Sequence, residues 1–270
     1  LQGPLRLPGV NCSDLDLTAE DFAAQISVDL GEDLASWSGK VGLLGGPLRY
    51  ADYSGQEIRA SVTLAGDFKQ SKGDVDLTAS GLKSPYGRAD SSRIKGPFAL
   101  GYGAGPLTAS YAGQPEIRGV QVAQNLLRQA GSLSASTTGT PVGPIVDRLA
   151  KAVQQAGNQL DISSDIKFSK AAGQTTLSLN ALTARSRSGA TLDLSDPLLL
   201  AFTDKNIRML ADGNIRLEGG GFPNAKFVLD DGSLSRGFSG RLEMANFQAG
   251  SAQLKIPAMA FSPTRQGGTN

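Results

Sequence analysis

The chain contains no histidine in its 270 residues. Histidine is the commonest general base and the commonest transition-metal ligand, so the usual triads and most zinc sites are excluded at once. Cysteine occurs once, at Cys12, which rules out an intrachain disulfide or a thiolate metal cluster. A disulfide-free chain fits the cytosol or a bacterial envelope equally well. Lipid acylation of Cys12 would need an apolar signal segment before it, and Pro8-Gly9-Val10-Asn11 is not one, so a half-buried thiol is expected. Excess charge is also missing. The 26 basic and 25 acidic residues leave a net charge of +1, and nucleic acid is not an expected partner. Aromatic residues make up only 6%. The densest apolar run, Pro197-Leu198-Leu199-Leu200-Ala201-Phe202, is too short for a membrane helix. The opening Leu1-Gln2-Gly3-Pro4 lacks the parts of a signal peptide. The chain is expected to be a fragment of a longer protein, with any membrane anchor outside it.

Catalytic and phosphate-binding motifs are absent as well. There is no GxSxG, no loop ending in GK[ST] and no GxGxxG. Gly101-Tyr102-Gly103-Ala104-Gly105 is followed by Pro106 rather than by a helix, and reads as a turn between strands. Asp14, Asp16, Glu20 and Asp21 cluster, as do Glu32 and Asp33. Two carboxylates would suffice for a glycosidase. These acids mostly occupy the polar phase of alternating segments, which reads as a solvated face. No calcium loop spacing is present. Arg185, Arg187, Lys205 and Arg208 are scattered surface charges that a phospholipid headgroup could use. No catalytic residue, cofactor or metal is assigned, and an enzyme is not expected.

What the sequence does contain is period-two alternation. Ile26, Val28 and Leu30 alternate with polar residues, as do Ile58 to Leu64, Val75 to Ala79 and Leu160 to Phe168. Thr175 to Leu179, Ala190 to Leu194, Gly213 to Leu217 and Ala225 to Leu229 follow the same rule. Leu242 with Met244, and Leu254 with Ile256, close the series. Each run places apolar groups on one sheet face and polar groups on the other. Sheets with one wet face are usually antiparallel. The 34 glycines point to frequent turns, and Asp212-Gly213-Asn214 and Asp230-Asp231-Gly232 read as hairpin turns. Short echoes recur at irregular spacing, such as Gly3-Pro4-Leu5-Arg6-Leu7 and Gly46-Pro47-Leu48-Arg49-Tyr50. That pattern fits a sheet grown from similar hairpins rather than a strict solenoid.

Two segments carry helical spacing instead. Val120, Ala123, Leu126, Leu127 and Ala130 predict a helix over 119–130, stopped by Gly131. A second is predicted over 141–157, capped by Thr140, with Pro141 and Pro144 in its first turn. Its stripe is Val142, Ile145, Val146, Leu149, Val153 and Ala156. The expected organisation is a strand-rich segment at 1–118, a helical insert at 119–158, a second strand-rich segment at 159–262 and a disordered tail at 263–270.

The run Gly139-Thr140-Pro141-Val142-Gly143-Pro144-Ile145-Val146-Asp147-Arg148-Leu149-Ala150 resembles the helical insert of the YdbH-like proteins of bacterial envelopes, relatives of AsmA-like and TamB-like proteins. The strand-rich tail, from Leu182-Thr183-Ala184-Arg185 through Gly219-Gly220-Gly221-Phe222-Pro223, is similar too. The resemblance covers about 117–262. It implies a long rolled sheet, anchored in the inner membrane, that carries phospholipids across the periplasm to the outer membrane. Proteins of both membranes would be its partners.

The expected fold is therefore mostly β: a long antiparallel meander curled into an open groove or taco-like sheet, with one or two amphipathic helices in the middle. Residues expected to line the apolar groove are Leu177, Leu179, Ile215, Leu217, Phe227, Leu229, Leu242, Met244, Leu254 and Ile256. Alternation alone leaves a second reading standing, a closed sandwich core used in envelope assembly. A third, a polysaccharide-acting enzyme on a β scaffold, rests on the carboxylates alone.

Overall fold

The computed structural model describes residues 2–261 apart from 33–34, 104, 137, 140–142, 172, 204–205, 230–239 and 250–251. The chain is mostly β, one large antiparallel sheet with two helices. The first part holds β1 (Gln2–Cys12), β2 (Leu17–Leu30), β3 (Ser36–Gly45), β4 (Leu48–Tyr50), β5 (Tyr53–Gly55), β6 (Glu57–Asp67), β7 (Gln70–Ser84), β8 (Gly87–Gly101), β9 (Thr108–Gly113) and β10 (Glu116–Val122). Then come α1 (Gln124–Ser136) and α2 (Gly143–Ala156). The second part holds β11 (Asn158–Ala171), β12 (Gln174–Ser186), β13 (Thr191–Thr203), β14 (Asn206–Gly219), β15 (Phe222–Leu229), β16 (Gly240–Ala249) and β17 (Ala252–Phe261).

Several short strands share one lane. β3 and β4 both pair with β2, and β9 and β10 both pair with β8 and β11. β5 and β6 share a lane in the same way beside β7. The result is an up-and-down meander in which every lane pairs with its sequence neighbour. β1 pairs only with β2, and β17 only with β16, among the described residues. β10 and β11 pair directly across the helical insert, so both strand-rich segments belong to one continuous sheet.

Registered partners in an antiparallel sheet share a face, and adjacent residues take opposite faces. One row runs Gly45–Ile58–Ala79–Ser92–Ile117–Ile162–Ala184–Leu192–Leu217–Ala225–Met244. The row beside it, one residue away, runs Leu44–Arg59–Thr78–Arg93–Glu116–Ser163–Thr183–Asp193–Arg216–Lys226–Glu243. The first is apolar apart from Ser92, and the second is mostly charged or hydroxylic. A further apolar row on the first face is Val28–Gly39–Leu64–Gly73–Phe98–Tyr111–Phe168–Leu177–Leu200–Met209.

On the polar face, Arg93 donates to both carboxylate oxygens of Asp76, at 2.9 and 2.6 Å. The Arg93 guanidinium holds the Asp76 carboxyl below its ordinary value of 3.8. A carboxylate with a depressed folded value stabilises above the unfolded value, and the gain is lost as pH falls through the folded one. Asp76→Asn is therefore expected to lower the thermal midpoint slightly near neutral pH, because the pair is partly exposed. The difference from the parent should shrink steadily below about pH 4, and a difference independent of pH would contradict this.

The sheet curls toward its apolar face. Gly73 and Gly96 lie on that face, inside long strands. A Cβ at Gly73 would run into the Thr63 carbonyl, and one at Gly96 into the Ala112 carbonyl. Neighbouring lanes fold in so closely there that only glycine fits. Among the described residues the face nonetheless stays open over much of its length, although Met209, Ala225 and Met244 in its far lanes are buried. Total accessible surface is 17198 Å², against about 11,000 Å² for a compact monomer of this mass. Val62, Leu64, Ile166 and Leu177 are half-buried rather than sealed. A closed sandwich core would bury them fully.

Three expectations need correction. Residues 119–122 are strand, not helix. Gly119 adopts φ 64 and donates its N–H to Asp161, while Gln121 and Val122 pair with Arg88 and Gly87. The first helix starts at Gln124 and runs through Gly131 to Ser136; a single glycine costs only about 1 kcal/mol there. Asp212-Gly213-Asn214 is no hairpin but an irregular point inside β14, where Gly213 (φ 60) makes room for Leu194 and Leu198. The predicted turn at Asp230-Asp231-Gly232, the Thr140 cap with Pro141, and the tail at 263–270 lie outside the described residues. Cys12 is half-buried, as its surroundings predict.

Candidate functional site: an apolar trough along one sheet face

A line of backbone irregularities crosses the first half of the sheet. Asp21 has φ 53, Gly81 φ 60 and Gly119 φ 64. Between β3 and β4, Gly46 donates to the Glu20 carbonyl at 3.0 Å, and Glu20 donates back to Pro47 at 3.0 Å. Between β5 and β6, Gln56 donates to Ser80 at 2.9 Å. Such points reset the strand alternation. The effect here is to keep apolar side chains on one face past the crease. Leu82 comes to lie against Gly55, although it breaks the spacing of Val75, Leu77 and Ala79.

A cavity of about 390 Å³ lies across this crease, lined chiefly by Leu48, Tyr50, Tyr53, Ile58, Leu82, Tyr86, Ala89, Ile117, Val120 and Ile162. That is within the size range of ligand pockets, about 300–1,000 Å³. Among the described residues no carboxylate lines it. Lys83 and Arg88 also border it. They pair with one another across β7 and β8, beside the inward Leu82–Ala89 pair. Arg88 is held by Gln121, at 2.9 and 2.6 Å.

The helical insert fixes one wall. Ala123 donates to the Tyr86 carbonyl at 2.8 Å, and Val122 to Gly157 at 2.9 Å. Leu127, 5% exposed, packs against Gly157, where a Cβ would meet its methyl carbon at 2.7 Å. On α2, Ala150 and Ala152 are buried, and Ala152 lies over Gly221 at the β14–β15 turn. Helix α2 thus reaches from β11 to β15 along one end of the sheet.

The trough extends beyond the cavity. Ile58, Ile117 and Ile162 share their row with Leu217 and Met244. Nine lane steps separate Ile58 from Met244, about 43 Å at about 4.8 Å per step. Of the expected lining residues, Leu177 and Leu179 pair with Leu200 and Leu198, and Ile215 and Leu217 pair with Leu194 and Leu192. Leu194 and Leu198 both face Gly213, so all four lie on one face. They are half-buried, and Met244 is 4% exposed. Phe227 and Leu242 are registered partners of each other, in line with Ile215. The side chains of Phe227, Leu229, Leu242, Leu254 and Ile256 lie outside the described residues.

The sequence reading places lining residues only in the second half. The first-half cavity was signalled by the alternation of Ile58 to Leu64, but its outer wall, Leu48 and Leu82, depends on the crease. Shifted proton affinities fall elsewhere and have local causes. Burial pushes the Tyr111 phenol up, and its hydroxyl donates to Lys95 at 3.2 Å. Among the described residues no group of His, Cys, Asp or Glu is placed to hold a metal ion, and no helix is long and apolar enough to cross a membrane. No family model matches the chain, and no curated protein or solved structure does either.

Proposed function

We propose that this chain is a lipid-carrying segment of a protein that bridges the two membranes of a bacterial envelope. The observation that supports this reading is the uncovered apolar face. An apolar surface this long is not left facing water without a ligand or a partner. Acyl chains fit it because their recognition needs no directed polar groups, only continuous apolar contact. Each buried methylene contributes about 0.8 kcal/mol, so a chain is held firmly. Adjacent stations in the row are chemically similar, so it can shift along them without a reacting group. Headgroups would stay at the wet margin. The resemblance to YdbH-like proteins points the same way: to the periplasm, to phospholipid as cargo, to an inner-membrane anchor, and to membrane proteins at both ends as partners.

The half-buried state of Val62, Leu64 and Leu177 counts against the alternative of a sealed structural module. The protein purified from a bacterial envelope fraction is expected to carry phospholipid in near-stoichiometric amount by mass spectrometry. Lipid no higher than in a control protein handled identically would refute the proposal.

A further inference from the structure

The end of the sheet opposite the helices carries a rim of exposed apolar side chains on an ordered support. Phe68 sits at the tip of the β6–β7 turn, 75% exposed. The turn beneath it is tied down. The Asp67 carboxylate accepts the N–H groups of Lys69 and Gln70, at 2.6 and 2.9 Å. The neighbouring β8–β9 loop packs on it: Tyr102 donates its N–H to Lys69 at 2.8 Å and its hydroxyl to the Asp67 carbonyl at 2.8 Å. Gly103 rests against the Lys69 side chain. The glycine-rich segment is therefore docked rather than a bare turn. Leu107, 53% exposed, closes the same loop, and Leu100 and Tyr102 are exposed beside it.

A turn built this firmly around a solvent-facing phenylalanine has no folding reason to keep the ring there. The charges around it favour one kind of partner. Lys69 lies next to Phe68, and Lys72 follows in the strand. Lys170 falls in the same cross-strand row as Leu100 and Ala109. The described acids nearby are Asp67, whose carboxylate is turned to two backbone N–H groups, Asp74 further into β7, and Asp29 and Glu32 at the β2–β3 end, on the flank away from Lys170. Tyr50 and Tyr53 at the other end differ, because Asp52 stands between them.

We propose that the rim formed by Phe68, Tyr102, Leu107, Lys69 and Lys170 docks on an anionic membrane surface. Aromatic and aliphatic tips enter the interfacial layer, and lysines meet the lipid phosphates. This rests on the lipid-carrying reading for its purpose: the rim would set one long edge of the trough, where β6 to β9 and β11 end, against the lipid source.

The test is flotation of the full chain with vesicles of phosphatidylglycerol and phosphatidylethanolamine, or of phosphatidylcholine alone. Binding is expected to be at least tenfold stronger to the anionic vesicles and to weaken with salt. Phe68→Ser with Leu107→Ser should reduce it at least tenfold, as should Lys69→Glu with Lys170→Glu, while leaving the urea midpoint and co-purified lipid unchanged. Absence of binding, equal binding to both vesicle types, or variants that bind like the parent would each overturn the docking proposal. A rim that serves a protein partner would give the first of these. Lipid still co-purifying in that case would leave the trough intact as a carrier; loss of both would remove both.

Discussion

Replacing Gly73 and Gly96 together by valine is expected to destabilise the protein by several kcal/mol, although valine is the better strand former. In a flat sheet the sign would be opposite. Glycine in a strand interior costs about 0.5–1 kcal/mol in backbone entropy, and valine packs well on a pleated surface. In this sheet a side chain at either position meets neighbouring backbone, the Thr63 and Ala112 carbonyls. Backbone cannot rotate aside as a side chain can. Two adjacent lanes would have to move apart, and forced overpacking costs about 1–3 kcal/mol per site. Gly42 provides the control, since it lies in β3 with nothing within 4 Å of its added Cβ. Gly42→Val should be neutral or mildly stabilising. Urea unfolding of the three proteins measures the effect. A double variant at least as stable as the parent would mean that glycine is not what permits the curl.

The same glycines show where sequence reasoning stops. Glycine reads as a turn residue, and Asp212-Gly213-Asn214 reads as a hairpin for that reason. In the structure Gly73, Gly96 and Gly213 all lie inside strands, where they relieve crowding that arises only when lanes are brought together. The alternation itself was legible. It identifies Leu177, Leu179, Ile215 and Leu217 as one face, and the registers agree. Alternation says which residues share a face but not what covers it, so groove and sandwich could not be separated without the fold. Bulges were equally hidden. Counting by twos past Leu179 would turn Ala181, Thr183 and Arg185 inward. Asn180 inserts one extra residue opposite β11, bonded to Asp165 at 3.0 Å, and returns Leu182 and Ala184 to the apolar face. The helix at 119–130 failed through an overlap: β10 ends in apolar residues that also fit helical spacing, and cross-strand pairing decided the matter.

Aspartate at Ile117 and Ile162 is expected to abolish lipid retention, whereas aspartate at Leu217 and Ile215 should block transfer while leaving much of the lipid in place. Ile117 and Ile162 are registered partners in the floor of the cavity at the crease. A carboxylate there keeps its water, because stripping it is costly without a partner. An acyl chain crossing the site then loses contact over about three methylenes. At about 0.8 kcal/mol each this is about 2.4 kcal/mol, a loss of roughly fiftyfold in affinity. Ile215 and Leu217 lie several lanes further along. A charge there leaves the cavity intact but breaks the row, and passive sliding requires every station to be passable. Retention and transfer should therefore separate between the two pairs. Thr78→Asp is the control: one residue from Ala79 in the same strand, it lies on the polar face and should change neither. Bound lipid by mass spectrometry and movement of labelled phospholipid between donor and acceptor vesicles would be read in parallel. If all variants retained and transferred lipid like the parent, the trough would not be the route. If both pairs lost retention equally, the lipid would occupy the whole row at once rather than move along it.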